Sequence, residues 1–236
     1  MISDPNLPLL EQAARKLQPF LEEIVFVGGA TLGLLITDTG AAPIRGTTDV
    51  DVIAEIMTYT DYIAFSDRLR REQFSEDSGE EPIACRWHHG ELTLDVLPID
   101  ESVLGYTNRW HESALKGAER TTLPLGLTIK VITAPFFLAT KMEAFRGRGK
   151  NDYLASRDLE DFVAVVDGRD TILEEILSAP VDLRRYLAEA AKGLLDEPHF
   201  REVLPGYVLG DEASQQRVPM ILERFAGMAH GPAPQP

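Results

Sequence analysis

Gly46-Thr47-Thr48-Asp49-Val50-Asp51-Val52-Ile53 is the stretch on which the reading of this chain turns. Successive side chains of a strand point to opposite faces. Asp49 and Asp51 therefore share one face, with Cα atoms ~6.6 Å apart, while Val50 and Val52 face a core. Asp is depleted in strands and like charges on one face repel, so the pattern calls for a compensating cation or for open water. It reads as the floor of a divalent-metal site, with a solvated edge strand as the alternative.

Upstream, Ile24-Val25-Phe26-Val27 has the β-branched and aromatic content of a short buried strand, and it stops at Gly28-Gly29. Ala30 to Thr37 then looks like a helix start. A strand, a glycine pair, the Thr31 hydroxyl and a helix together suit phosphate binding, because glycine lets backbone N–H groups approach the oxygens. A plain turn is the alternative. Asn6 to Phe20 carries Leu7, Leu9, Leu10, Ala13, Leu17 and Phe20 at helical spacing, with Pro8 tolerable near a first turn. Thr39 to Gly46 is a Gly/Pro loop that delivers Arg45 beside the Asp strand.

Downstream, Tyr59 to Phe74 reads as an amphipathic helix and Glu76 to Glu81 as an acidic loop. Ile83 to Trp87 and Glu91 to Leu97 read as a hairpin turned at His88-His89-Gly90. In the second arm Leu92, Leu94 and Val96 alternate with Thr93, Asp95 and Leu97, so Asp95 lies opposite its apolar neighbours. If this arm pairs beside the Asp49 strand, three carboxylates meet. His88 and His89 lack a cysteine partner and helical spacing, so they read as solvated loop residues rather than zinc ligands.

A helix near Asn108 to Lys116 and strands near Arg120 to Leu123 and Leu127 to Ile132 follow. From Ala134 the pattern is helical, with Leu138, Met142 and Phe145 forming an apolar stripe flanked by Lys141. Gly147-Arg148-Gly149-Lys150 is expected to break that helix. With Arg146, this basic run suits either a solvated loop or contact with phosphates. Arg157-Asp158-Leu159-Glu160-Asp161-Phe162 opens a helix ending by Gly168, and further helices run through Met228. The expected division is residues 1–134, a helical region 135–229 and a tail 230–236 that frays. The helices after Thr133 to Pro135 are expected to wall a cleft, with Lys141, Arg146, Arg148 and Lys150 facing Asp49.

With 236 residues and 44% hydrophobic content, the chain can bury a full core. The formal charge of -15 argues against a general nucleic-acid coating protein but is compatible with a local basic patch. Cys85 alone cannot form an internal disulfide, and the first residues show neither a basic n-region nor an apolar h-region. No apolar run approaches ~18 residues. No membrane span is expected, and the cytoplasm is the default compartment.

Gly28-Gly29-Ala30-Thr31, then Thr48-Asp49-Val50-Asp51, then Asp95 resemble the three core motifs of the polymerase-beta-type nucleotidyltransferases. Lys141, the basic glycine loop and Arg157 to Phe162 resemble the fourth motif of the abortive-infection AbiE-type toxins and their mycobacterial relatives. The resemblance covers roughly residues 20 to 165. It departs after Gly29: smaller members of the superfamily usually have Gly-Ser, whereas here Gly29 is followed by Ala30 and Thr31.

The resemblance implies an α+β (mixed α/β) fold, with a polymerase-beta-like nucleotidyltransferase core around a central mixed sheet and a helical C-terminal domain. It also implies transfer of a nucleoside monophosphate from an NTP to an acceptor hydroxyl, with Mg2+, as two ions, held by Asp49, Asp51 and Asp95. The implied nucleotide contacts are Gly28, Gly29, Thr31, Arg45, Thr48 and Lys141. Asp158 would orient Lys141 or contact the acceptor, and Asp161 would be structural on the same helix face. The implied acceptor contacts are Arg146, Arg148, Lys150 and Arg157. The expected acceptor is a tRNA or other RNA end, with the chain as the toxin of a toxin-antitoxin pair and an antitoxin protein as partner. The alternatives are an aminoglycoside-like acceptor, which an acidic surface would attract, and a non-catalytic binding protein of the same fold.

Overall fold

The computed structural model describes residues 4–149 and 152–230, which group into a sheet unit and a helical unit. Lys150 and the tail residues 231–236 lie outside the described residues.

The sheet unit comprises Asp4–Gly33 and Arg45–Thr133. Helix α1 (Leu7–Lys16) takes Pro8 in its first turn and buries Leu10, Ala13 and Ala14, the i, i+3, i+4 stripe of a one-sided helix. A separate 3-10 turn, Gln18–Phe20, replaces the continuous helix expected as far as Phe20. Strand β1 (Ile24–Val27) is buried at all four positions, as a central strand must be. After it come a 3-10 turn, Gly29–Thr31, and the single-turn α2 (Leu32–Leu35).

Strand β2 (Asp49–Ala54) alternates half-exposed aspartates with buried valines. Helix α3 (Tyr59–Arg71) begins at a capping box: the Asp61 N–H donates to Thr58 Oγ1 at 3.1 Å and the Thr58 N–H donates to Asp61 Oδ2 at 3.0 Å. Then come β3 (Ser75–Glu76), β4 (Arg86–His89), β5 (Leu92–Leu97), α4 (Glu101–Leu104), α5 (His111–Lys116), β6 (Glu119–Thr122) and β7 (Thr128–Val131).

The seven strands order as β3-β4-β5-β2-β1-β7-β6. The β2/β5 and β1/β7 pairs are parallel and the others antiparallel, which makes the sheet mixed. The hairpin turn differs from the expected one. His88 and His89 belong to β4, and His89 pairs with Leu92, so the turn is the two residues Gly90 and Glu91, with Gly90 at φ +61°. A positive φ at the first central position is what a tight hairpin turn requires.

The helical unit comprises Leu34–Ile44 and the chain from Ala134 onward. Its helices are α6 (Ala134–Arg148), α7 (Arg157–Gly168), α8 (Ile172–Ser178), α9 (Val181–Asp196), α10 (Pro198–Val203), α11 (Glu212–Gln215) and α12 (Arg217–His230). Helix α6 runs through Gly147, contrary to expectation. It closes at Gly149, whose N–H donates to the Phe145 carbonyl at 2.8 Å. A Cβ on Gly149 would come within 2.4 Å of that carbonyl, so the glycine serves the helix end. The core between α7, α9 and α12 includes Phe162 stacked on Phe225 at 5.9 Å and Phe200 edge-on to Phe225 at 5.4 Å. The 34–44 segment joins this unit through Thr37 and Asp38 N–H groups on the Gly168 carbonyl, and through Arg217, which bridges Asp38 and buried Asp167.

Candidate active site

Chain direction changes sharply after β1, and the change depends on a missing carbon. Gly28 has φ +69°, and a Cβ there would lie 2.0 Å from Asp51 Oδ2. Only glycine meets both demands, so the turn packs directly against a β2 carboxylate. Thr31 is fully buried, and its hydroxyl donates to the Gly28 carbonyl at 2.9 Å, which commits that oxygen to shaping the turn. Asn6, also buried, donates to the carbonyls of Gly29 at 3.3 Å and Arg45 at 2.9 Å and accepts from the Thr47 N–H at 2.8 Å. One amide thus fastens the glycine turn to the loop entering β2. The Arg45 guanidinium lies against Gly29, where a Cβ would meet Nη2 at 3.2 Å. Thr48 is exposed, while its neighbour Thr47 donates to Asp49 Oδ1 at 2.7 Å.

The register of β2 and β5 sets Asp51 directly beside Asp95, and Asp49 beside Thr93. Paired residues on neighbouring strands share a face, so Asp49, Asp51 and Asp95 all project from one side of the sheet. Asp95 is 8% exposed. On its other flank β4 sets Arg86 opposite it, and the guanidinium grips it with two bonds, Nε to Oδ1 and Nη2 to Oδ2, each 2.8 Å. The same Nη2 reaches Asp49 Oδ2 at 3.3 Å. The hydrogen bonds to Asp95 hold the Arg86 pKa above its ordinary value, against burial, so the arginine is a fixed positive charge. Cys85 is buried next door, and burial pushes its thiol up to about 11, so it offers no thiolate at neutral pH.

Among the described residues, no group of three or more His, Cys, Asp and Glu side chains stands ready to hold a metal ion. At this face Arg86 engages both oxygens of Asp95. The donor chemistry nonetheless fits a hard divalent cation: carboxylate oxygens on one face, with a guanidinium standing where positive charge is required.

The helical unit carries a second charged cluster. Lys141 on α6 is 9% exposed, and its Nζ lies 2.7 Å from Asp161 Oδ2 and 3.4 Å from Asp158 Oδ1. Asp161 is completely buried and is the closer of the two partners. Asp158 also accepts two bonds from Arg148, at 2.9 and 3.0 Å, although the Arg148 side chain remains 74% exposed. Burial, the largest influence, pushes the Asp158 carboxyl up. The Arg148 hydrogen bonds and the Lys141 and Arg148 charges outweigh it and leave its pKa below the usual carboxylate value. Arg146 is exposed and lies over the Tyr186 ring at 5.1 Å; Arg157 is exposed at the start of α7.

Sequence reasoning did not single out Arg86, Asn6 or Thr47. Arg86 had a usable signal, since a Gly-Glu two-residue turn sets it opposite Asp95; Asn6 had none, because the partners of its side chain are 23, 39 and 41 residues away.

No protein-family model and no curated protein matches the chain. Among solved structures, JHP933 from Helicobacter pylori is similar at 11% identity and a TM-score of 0.47, over 97% of this chain and 94% of that one. A candidate nucleotidyltransferase from H. pylori is similar at 10% identity and a TM-score of 0.49, over 97% and 96%. No helix among the described residues is long and apolar enough to cross a membrane.

Proposed function

We propose that this chain is a magnesium-dependent nucleotidyltransferase that moves a nucleoside monophosphate from a nucleoside triphosphate to an acceptor hydroxyl. The observation that carries the reading is the in-register row of Asp51 and Asp95, with Asp49 on the same face and the Gly28 turn packed against Asp51. Three carboxylates beside a glycine turn are costly in a sheet unless they handle cations and phosphates. Magnesium held by Asp49, Asp51 and Asp95 would neutralise phosphate charge and lower the pKa of the attacking hydroxyl. The resemblance gives the Gly28-Gly29 turn contacts with phosphate oxygens; Arg45 lies beside Gly29 and Thr47 donates to Asp49. Asp95 would help take the acceptor's proton, and the resemblance gives Lys141 the role of phosphate counter-charge with Asp158, 3.4 Å from it, as the residue that would orient it.

For the acceptor we favour an RNA end, and tRNA foremost, because Arg146, Arg148 and Arg157 are exposed basic residues of the helical unit. A toxin role with a separate antitoxin as partner rests on the fourth-motif resemblance. The second reading, a polycationic hydroxylated small molecule such as an aminoglycoside, is favoured by the charge of -15.

Thermal melts with each of the four nucleoside triphosphates test the metal-and-nucleotide reading. At least one, together with magnesium, is expected to raise the melting temperature, since saturation to 100 times Kd stabilises by ~2.7 kcal/mol. Asp51→Asn is expected to remove the shift. A folded wild-type protein that none of the four stabilises would return the chain to the class of non-catalytic binding proteins.

A further inference from the structure

Arg86 stands where the carboxylate face needs a cation. Its Nε and Nη2 each lie 2.8 Å from an Asp95 oxygen, and Nη2 also reaches Asp49 at 3.3 Å. An ion pair that only fastened β4 to β5 would need Asp95 alone. The contact with Asp49 puts one nitrogen between two of the proposed magnesium ligands. A guanidinium cannot lose its charge at neutral pH, so an ion at Asp95 meets a fixed positive charge bonded to the same two oxygens. A quarter of its side chain is exposed, which leaves it a route outward. Its donor fork suits phosphate oxygens as well as it suits a carboxylate.

We propose that Arg86 is a built-in counter-ion displaced by the magnesium and triphosphate together. Without nucleotide it neutralises Asp95 and Asp49; with nucleotide it passes its hydrogen bonds from Asp95 to triphosphate oxygens and frees Asp95 for the ion. This inference rests on the function proposed above and adds a regulation to that site. A metal ion arriving alone must compete with a tethered positive charge. A metal ion arriving with triphosphate brings that charge a new partner. Metal and nucleotide therefore strengthen each other's binding by the same factor.

Manganese titration followed by electron paramagnetic resonance, with and without a non-hydrolysable triphosphate, reads this directly. The wild-type protein is expected to bind manganese at least ~10-fold more tightly with triphosphate than alone, equivalent to ~1.4 kcal/mol. Arg86→Gln is expected to bind manganese alone more tightly than wild type, to show a smaller ratio between its two manganese affinities than wild type and to melt lower when metal-free. Arg86→Lys, which keeps the charge without the fork, should fall between them. Manganese binding by Arg86→Gln that is unchanged or weaker overturns the inference. If that variant fails to fold, Arg86→Lys decides: wild-type coupling in it overturns the inference, and weakened coupling with tighter metal-alone binding supports it. A wild-type protein that binds neither manganese nor triphosphate overturns the function proposed above. One that binds both, without regard to Arg86, overturns this inference alone.

Discussion

Gly28 shows how one absent atom can hold a site together. At φ +69°, with a Cβ position 2.0 Å from Asp51 Oδ2, alanine there must strain the backbone and push the carboxylate aside. Gly28→Ala should cost ~1–3 kcal/mol in urea unfolding and weaken the stabilisation by magnesium and triphosphate; an unchanged protein would contradict the close packing of turn and strand. Asp158 supports a prediction about pH. Its folded pKa is depressed, so its contribution to stability is complete above its unfolded value, about 3.9, and is lost as pH falls through the folded value. Wild type should therefore exceed Asp158→Asn in stability at pH 6, and the gap should close in acid. A gap that widens in acid would mean that burial, not Arg148 and Lys141, governs this carboxyl. The alternation of Asp49 and Asp51 with valines could be read from spacing alone, because strand period and residue type agree there. Arg86 could not be placed without the turn: moving the turn to His88-His89-Gly90 shifts the pairing and takes the guanidinium away from Asp95.

At the scale of elements, α6 and α7 are joined by polar and apolar contacts. Lys141 and Asp161 form a pair that leaves water almost entirely, and such a pair is costly to break from one side only. Lys141→Met or Asp161→Asn alone should destabilise by roughly 3–5 kcal/mol in denaturant melts, and the double variant by clearly less than the sum of the two. Additive losses would show that the two side chains act independently. The start of α7 was readable from sequence, because Ser156 caps it and acidic residues fill its first turn. The end of α6 was misplaced because Gly147 is a poor helix former by propensity. The buried packing of Met142 and Phe145 overrides that preference, and the helix stops at Gly149, where a side chain would meet the Phe145 carbonyl.

Across the whole molecule, the order of the longer elements followed from hydrophobic periodicity, whereas β3 and α4 are too short to show a period and were not expected. The attachment of residues 34–44 to the helical unit did not follow from periodicity. It rests on Gly168 and Arg217, more than 120 residues away along the chain, and no local pattern announces it. The net charge of -15 spreads over a chain whose proposed partners are themselves anions, so the carboxylate face can work only with its cations supplied. Label transfer tests that claim most directly. Purified protein is incubated with each α-labelled nucleoside triphosphate, magnesium and either deacylated tRNA or an aminoglycoside, and label is followed into the acceptor. We expect wild type to label the RNA only with magnesium, and Asp51→Asn to be slower by ~10³-fold or more, since metal charge is worth several kcal/mol in such a transfer. Wild-type protein that binds triphosphate with magnesium yet transfers label to neither acceptor, or an Asp51→Asn variant that labels at the wild-type rate, would contradict the account.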